Sequence, residues 1–357
     1  MKRIILVLAV LMIFGSVYGQ GCMEASSEEG VNVVGYIQAQ YNYMFQNDDE
    51  EIEPVSSFTF KRVRFGLIGN IPYDISYYSM FEFSPNQENT PFLLDGFITY
   101  SRLAPYLKVS MGQFKSPFSL ELNTPCQKLH TINRSNVTGA LASPLRDRGL
   151  LLSGGYKKWL KYNFAITNGT GLQSAENNYE KDYHGRIVFM PVDFISFGGS
   201  FGMRSMEPAT EGSDENDTMN LFAGELEIKY KDFLVQAEYI TADHESSGGT
   251  IEHPGDCSTD PWTEILPAGT TTKAGYWLQA MYMSKWNLQP VVKFEYYDPN
   301  TDEDNLNEDN CVKKITTFGL NYFLNDWTRL QLNYLYKAEE KYEYSNDEIL
   351  FQVQVTF

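Results

Sequence analysis

The sequence predicts an all-β fold, a transmembrane antiparallel β-barrel of about 16 strands with its third long loop folded into the lumen. Three observations carry that expectation. The segment EILFQVQVTF at 348–357 alternates, so that Ile349, Phe351, Val353, Val355 and Phe357 share one face while Leu350, Gln352, Gln354 and Thr356 share the other. A strand with one wholly apolar face is an aggregation edge unless it is paired and covered, and lipid is one cover. Phe, Tyr and Trp make up 15% of the 357 residues, as aromatic girdles at two membrane interfaces would require. Finally, the mean hydropathy is negative and no internal apolar run approaches the roughly 18 residues of a membrane helix. A helical membrane protein is thereby excluded. A barrel is not, since half of each strand faces water.

Taken from the start, Lys2 and Arg3 precede an apolar run at 4–14 that is too short to span a bilayer as a helix, which takes about 20 residues. This pattern predicts a secretory signal peptide at 1–19, then a short periplasmic segment at 20–30 and a barrel domain at 31–357. The compartment expected from this pattern is the outer membrane of a Gram-negative bacterium. Cleavage before Cys22 with acylation of that residue is the alternative, although Gly19, Gln20 and Gly21 lack the apolar residue expected upstream. A lipidated chain would be a surface protein of another class, a glycan-binding or adhesive β-sandwich. The formal charge of −18 argues against nucleic acid as a partner. Cys22, Cys126, Cys257 and Cys311 lack metal-site spacing, and an exported location permits disulfides.

From residue 31 onward, alternating segments recur at 31–45, 58–69, 75–83, 92–101, 106–114, 149–156, 162–168, 183–191, 195–204, 219–230, 233–241, 274–283, 291–298, 314–323, 329–338 and 348–357. Their connectors are alternately short and long, as expected for tight periplasmic turns and longer outer loops. An even number of strands puts both ends of the barrel on one side, where 348–357 pairs with 31–41 and closes the cylinder. Three of the long loops are acidic: 47–57 and 207–217 hold five acids each and 298–311 holds six, with no Lys or Arg. Loops of this sign are either a solvated surface or a bridge through divalent cations to lipopolysaccharide. Cys257 and Cys311 fall in two outer loops flanking one hairpin and are the expected disulfide pair.

The segment 115–148 breaks the pattern. Lys115, Lys128, Arg134, Arg146 and Arg148 stand against Glu121 and Asp147, a net charge of +3 in an acidic chain. A solvated outer loop has no reason to differ in sign from its neighbours, whereas a loop inside the lumen would form a cationic constriction and favour anions. Arg62 and Arg64 share one face of the second strand. Facing lipid would cost each about 2–4 kcal/mol, so both are expected to point into the lumen. There they either guide anions or pair with wall acids such as Glu82 and Asp95. Glu225, Glu227, Lys229, Lys293, Glu295 and Arg329 are expected to face inward as well, giving a mixed lumen. None of His130, His184, His244 and His253 lies in a nucleophile motif, so neither an enzyme nor a cofactor or metal site is expected.

With these residues in place, GQFKSPFSLE at 112–121 resembles the signature leading into the third loop of the phosphate-selective porin O/P family. FKRVRFG at 60–66, RGLLLSG at 148–154, QAEY at 236–239, PVVKFEYYD at 290–298 and GLNYFLND at 319–326 resemble further family blocks in the same order. The resemblance implies a 16-stranded barrel, usually a homotrimer, passing small hydrophilic solutes and favouring anions such as phosphate. It implies a wall ladder containing Arg62 and Arg64, with Lys115, Lys128, Arg134, Arg146 and Arg148 in the loop and its exit. Likeness to outer-membrane barrels also implies that Phe357 is the recognition residue for the barrel assembly machinery. Two departures stand out. Lys293 replaces a common arginine, and the acidic outer loops lack a basic funnel, so a weakly selective general porin stays open beside an anion-selective one.

Overall fold

The computed structural model describes residues 30–45, 56–85, 90–142, 144–176, 179–208, 210, 216–253, 262–302, 312–339 and 346–357. The expected signal peptide, Cys22, Cys257, Cys311 and most of the acidic loops lie outside the described residues, and with them the expected disulfide.

In chain order the strands are β1 (Gly30–Met44), β2 (Ser56–Ile71), β3 (Ile75–Glu82), β4 (Phe92–Leu103), β5 (Leu107–Lys115), β6 (Arg146–Tyr156), β7 (Leu160–Thr167), β8 (Asp182–Val192), β9 (Ile195–Met206), β10 (Asp217–Tyr230), β11 (Phe233–Ser246), β12 (Gly249–His253), β13 (Trp262–Leu266), β14 (Gly269–Tyr282), β15 (Leu288–Asp298), β16 (Lys313–Phe323), β17 (Thr328–Glu339) and β18 (Glu348–Thr356). All but β12 and β13 form one closed antiparallel barrel in sequence order, and each barrel strand occupies a segment that its alternation predicted. β18 closes on β1, from Tyr36 opposite Thr356 to Met44 opposite Glu348. The short connectors turn through left-handed residues, among them Tyr73, Asp74, Lys157, Lys231 and Asn287, the geometry that a two-residue hairpin needs.

One connector differs from the sequence expectation. Residues 242–273 read as a loop, yet β11 runs on to Ser246, β14 begins at Gly269, and β12 and β13 form a separate two-stranded ribbon between them. Gly248 and Gly269, both at positive φ, let the chain leave the wall and rejoin it.

The barrel is turned inside out relative to a water-soluble domain. Met111, Ile98 and Phe222 are 72%, 61% and 54% exposed on the outer face, where lipid covers such side chains. On β18, Phe351 and Val355 point out while Gln352 and Gln354 point in and are buried. The largest buried apolar cluster lies inside the barrel. Met219, Leu221, Ile240 and Trp277 from the inner wall pack there against Phe118, Leu122, Val137 and Leu141 of the connector between β5 and β6. A bare lumen would leave that wall wet. Burying each of these large apolar side chains is worth about 1.5–3 kcal/mol, enough to draw the connector inward.

Candidate functional site

The inward connector is built from two short helices and a tight turn: α1 (Leu120–Asn123), a single 3₁₀ turn at Cys126–Lys128, and α2 (Asn136–Leu141). Each helix starts at a serine whose hydroxyl accepts from the first turn, Ser119 from Leu122 N at 3.2 Å and Ser135 from Thr138 N at 3.3 Å. Pro117 and Pro125 keep the segment from continuing as strand.

The wall holds this loop by carboxylates and one ammonium. Glu238 of β11 accepts the Ser119 hydroxyl at 2.9 Å, the Leu120 N–H at 2.7 Å and the Trp277 indole N–H at 3.1 Å. Lys293 of β15 donates to Glu121 at 2.6 Å and lies 3.2 Å from Glu295. The other oxygen of Glu121 receives the N–H of Ser135 at 2.8 Å, and Glu295 receives the N–H of Asn136 at 2.8 Å. Both helix starts are thus tied to the same Lys293-centred triad. Farther along, Ile132 N donates to Asn333 at 2.8 Å and Gln354 donates to the Gln127 carbonyl at 3.1 Å.

Of the seven cations that the sequence singles out, four are engaged in holding structure. Lys115 and Arg134 reach the carbonyl end of α1, donating to Leu122 O at 3.0 Å and to Thr124 O at 2.7 Å respectively. Arg64 pairs with Glu82 at 2.7 Å and Arg146 with Asp95 at 2.9 Å, and all four side chains are buried. Arg62, also fully buried, donates to Gln38 at 2.7 Å. Arg148 is partly buried and reaches the connector between β7 and β8 through Thr170 and Ser174. Lys128 alone among them is exposed. The expected partnership with Glu82 and Asp95 therefore exists but is divided, one acid for Arg64 and the other for Arg146.

Beneath the loop opens a vestibule of about 1220 Å³. Among the described residues its lining includes Lys108, Lys128, Lys157, Lys161, Lys229, Arg186 and Arg329, against Glu225, Glu227 and Asp326. Arg186 is neutralised by Glu225 at 2.6 Å and 2.8 Å, and basic side chains outnumber acidic ones in the rest of the described lining.

Two loop groups have displaced proton affinities. Burial works to raise the Glu121 carboxyl, but Lys293 and Ser135 overcome it and hold Glu121 below its ordinary range. Burial holds the His130 imidazole down at about 4, against the contact with Gln289 at 3.2 Å that favours its charged form.

Sequence reasoning foresaw that Lys293, Glu295 and Arg329 face inward but missed Glu238, Asn333 and Gln354 as loop anchors. Their inward position was readable from alternation. Which loop atom each would meet was not, since those partners lie 117 to 227 residues away.

The family model for phosphate-selective porin O and P matches residues 31–214. No match was found among curated protein sequences. Among solved structures, the anion-selective porin from Comamonas acidovorans aligns over 92% of this chain and 100% of its own, with a TM-score of 0.66 and 12% identity. The outer membrane channel DcaP of Acinetobacter baumannii aligns over 94% and 99%, with a TM-score of 0.65 and 14% identity. OmpT of Vibrio cholerae in its trimer form aligns over 92% and 99%, with a TM-score of 0.62 and 10% identity. At these identities the likeness is one of fold.

Proposed function

Because this chain belongs to the phosphate-selective porin O and P family and is an outer-membrane porin, we propose that its channel favours small anions, phosphate among them. The single observation that carries this reading is the excess of basic over acidic side chains in the vestibule lining, with Lys128 exposed at the edge of the inward loop. Lysines in a narrow, low-dielectric passage lower the entry cost of anions and raise that of cations.

In this reading Lys128 meets the solute, Arg62 belongs to the wall ladder, and Arg148 stands at the outer exit of the loop. Lys115, Arg64, Arg134 and Arg146 shape the passage by holding its walls in place. The fold and family suggest a channel rather than an enzyme. A homotrimer is supported by the trimer form of OmpT, and the partners outside the barrel are lipid, lipopolysaccharide and, for insertion, the barrel assembly machinery reading Phe357. Residues 1–19 act as the signal peptide and 20–30 as the short periplasmic segment.

Weak selectivity is the second reading, favoured by Glu225 and Glu227 in the same vestibule. Reversal potential in a potassium chloride gradient across a planar bilayer separates the two. Anion permeability several-fold above cation permeability supports the first, and a ratio near one or below it rejects it.

A further inference from the structure

The turn between β6 and β7 and the turn between β10 and β11 are built alike. Each carries a tyrosine, then a lysine at left-handed φ, then a second aromatic: Tyr156, Lys157 (φ 52°) and Trp159 in one, Tyr230, Lys231 (φ 54°) and Phe233 in the other. Glycine or asparagine takes that conformation at less cost than lysine. Yet in both turns the left-handed residue is a lysine whose Nζ lies over the ring before it, 5.4 Å from the Tyr156 centroid and 5.3 Å from that of Tyr230. All six side chains are exposed at the short-turn end of the barrel.

The two turns differ in charge. Lys158 follows Lys157, whereas Asp232 follows Lys231. The β6–β7 turn is also joined to the turn between β4 and β5: Gly155 N donates to Pro105 O at 2.9 Å, and the Tyr162 hydroxyl donates to Tyr106 O. Tyr106 stands 6.2 Å from Tyr156, and Trp159 meets Tyr156 edge-on at 5.6 Å, so three exposed rings form one cluster. Exposed Arg102 brings the cations at this edge to three, and neither 101–107 nor 154–160 contains an acid. Asp74 and Asp193 lie in the turns on either side. The long loops at the opposite end are acidic, so this edge is not one sample of a generally basic surface.

We propose that this edge is a headgroup site for an anionic phospholipid of the leaflet that meets the short turns. Lys157, Lys158 and Arg102 face the phosphodiester, while Tyr106, Tyr156 and Trp159 sit at the depth where amphipathic rings settle in a bilayer. A zwitterionic headgroup brings its own ammonium, which clustered cations repel, and an anionic headgroup brings none. At the β10–β11 turn Asp232 offsets Lys231, so the same scaffold has no such preference there. Lys157 stands where this edge meets the rim of the vestibule. The inference rests on the reading that lipid surrounds the barrel, and it does not depend on which ions the channel passes.

The test offers the full mature protein equal amounts of phosphatidylglycerol and phosphatidylcholine in mixed micelles and counts the retained lipid by native mass spectrometry. Phosphatidylglycerol should be enriched about five- to thirtyfold, the range that one or two lysines near a membrane surface supply. Lys157→Gln combined with Lys158→Gln should bring the ratio near one, while Lys231→Gln leaves it unchanged. Heat-modifiable gel mobility establishes that each variant is folded. Should the double variant fail to fold, hydrogen exchange of the unaltered protein in nanodiscs of either lipid decides, with 154–160 slowed by phosphatidylglycerol and 230–233 not. Equal retention of the two lipids, an undiminished ratio in the double variant, the same drop in Lys231→Gln, or equal exchange in both nanodiscs would overturn the site. A chain that retains no lipid and stays soluble without detergent would overturn the lipid surround as well.

Discussion

Glu238 and Ser119, 119 residues apart in sequence, meet at 2.9 Å inside the barrel, carboxylate to hydroxyl. The same carboxylate receives Leu120 N, Glu121 N and the Trp277 indole, so one side chain of β11 fixes the point at which the inward loop begins.

Glu238→Ala should free that point. Several buried donors lose their acceptor at about 1–3 kcal/mol each, and the loop start should lift from the wall. Single-channel recording should show a larger and noisier conductance while heat-modifiable mobility persists. Unchanged conductance would remove Glu238 from the list of anchors.

Lys293→Met leaves Glu121 and Glu295 facing each other without their shared cation. Breaking a buried pair by removing one partner costs about 3–5 kcal/mol. Protease cleavage within 116–145 should accelerate markedly in the intact barrel. The double variant Lys293→Met with Glu121→Gln should recover part of the loss, since it removes one of the stranded charges.

Lys128→Glu replaces the one exposed cation among the seven with an acid. Reversal potential should move toward cation preference with little change in thermal stability. Arg134→Gln should do the opposite, because its guanidinium caps α1 through Glu121 O and Thr124 O rather than facing solute. A stability loss for Lys128→Glu without a change in selectivity would count against the proposed anion preference.

Acid should loosen the loop. His130 stays neutral when docked, with its pKa down at about 4 against an ordinary 6.5, whereas an undocked imidazole in water takes up its proton near the ordinary value. Between those two values the undocked state binds more protons, so docking weakens as pH falls through that window and is at full strength above it. Current noise recorded from about pH 7.5 down to pH 4.5 should rise, and His130→Asn should flatten the rise.

Gly35→Val should weaken the seam. A Cβ at Gly35 would lie 2.9 Å from the Phe357 ring and closer still to the Arg64 carbonyl, while Gly35 and Phe357 exchange both backbone hydrogen bonds at 2.9 Å and 3.0 Å. The temperature at which the folded gel band is lost should drop. An unshifted transition would mean that the ring and the Arg64 carbonyl both give way at no cost.

Much of the barrel was legible because lipid and water sort side chains at every second residue. Phe351 and Val355 against Gln352 and Gln354 is that rule in four residues, and it located every wall strand. The ribbon at β12 and β13 was hidden because it lies outside the bilayer, where the sorting does not operate. The loop was legible by its charge, since 115–148 differs in sign from the rest. The fate of each charge was not, because a lysine aimed at a solute and a lysine aimed at a helix carbonyl look alike until the fold supplies the acceptor. Lys115 and Lys128 make the contrast plainly: one is buried on Leu122 O, the other is exposed.

The loop at 116–145 hangs on Asn333 and Gln354, residues of β17 and β18, and this sets an order of events. The segment leaves the ribosome well before the strands that receive it, and contacts so distant along the chain form late. Narrowing of the passage must then await the arrival of the final hairpin. A barrel halted before that step is wide whatever its loop sequence says, so a substitution at Asn333 or Gln354 can mimic a loop defect by delaying construction alone.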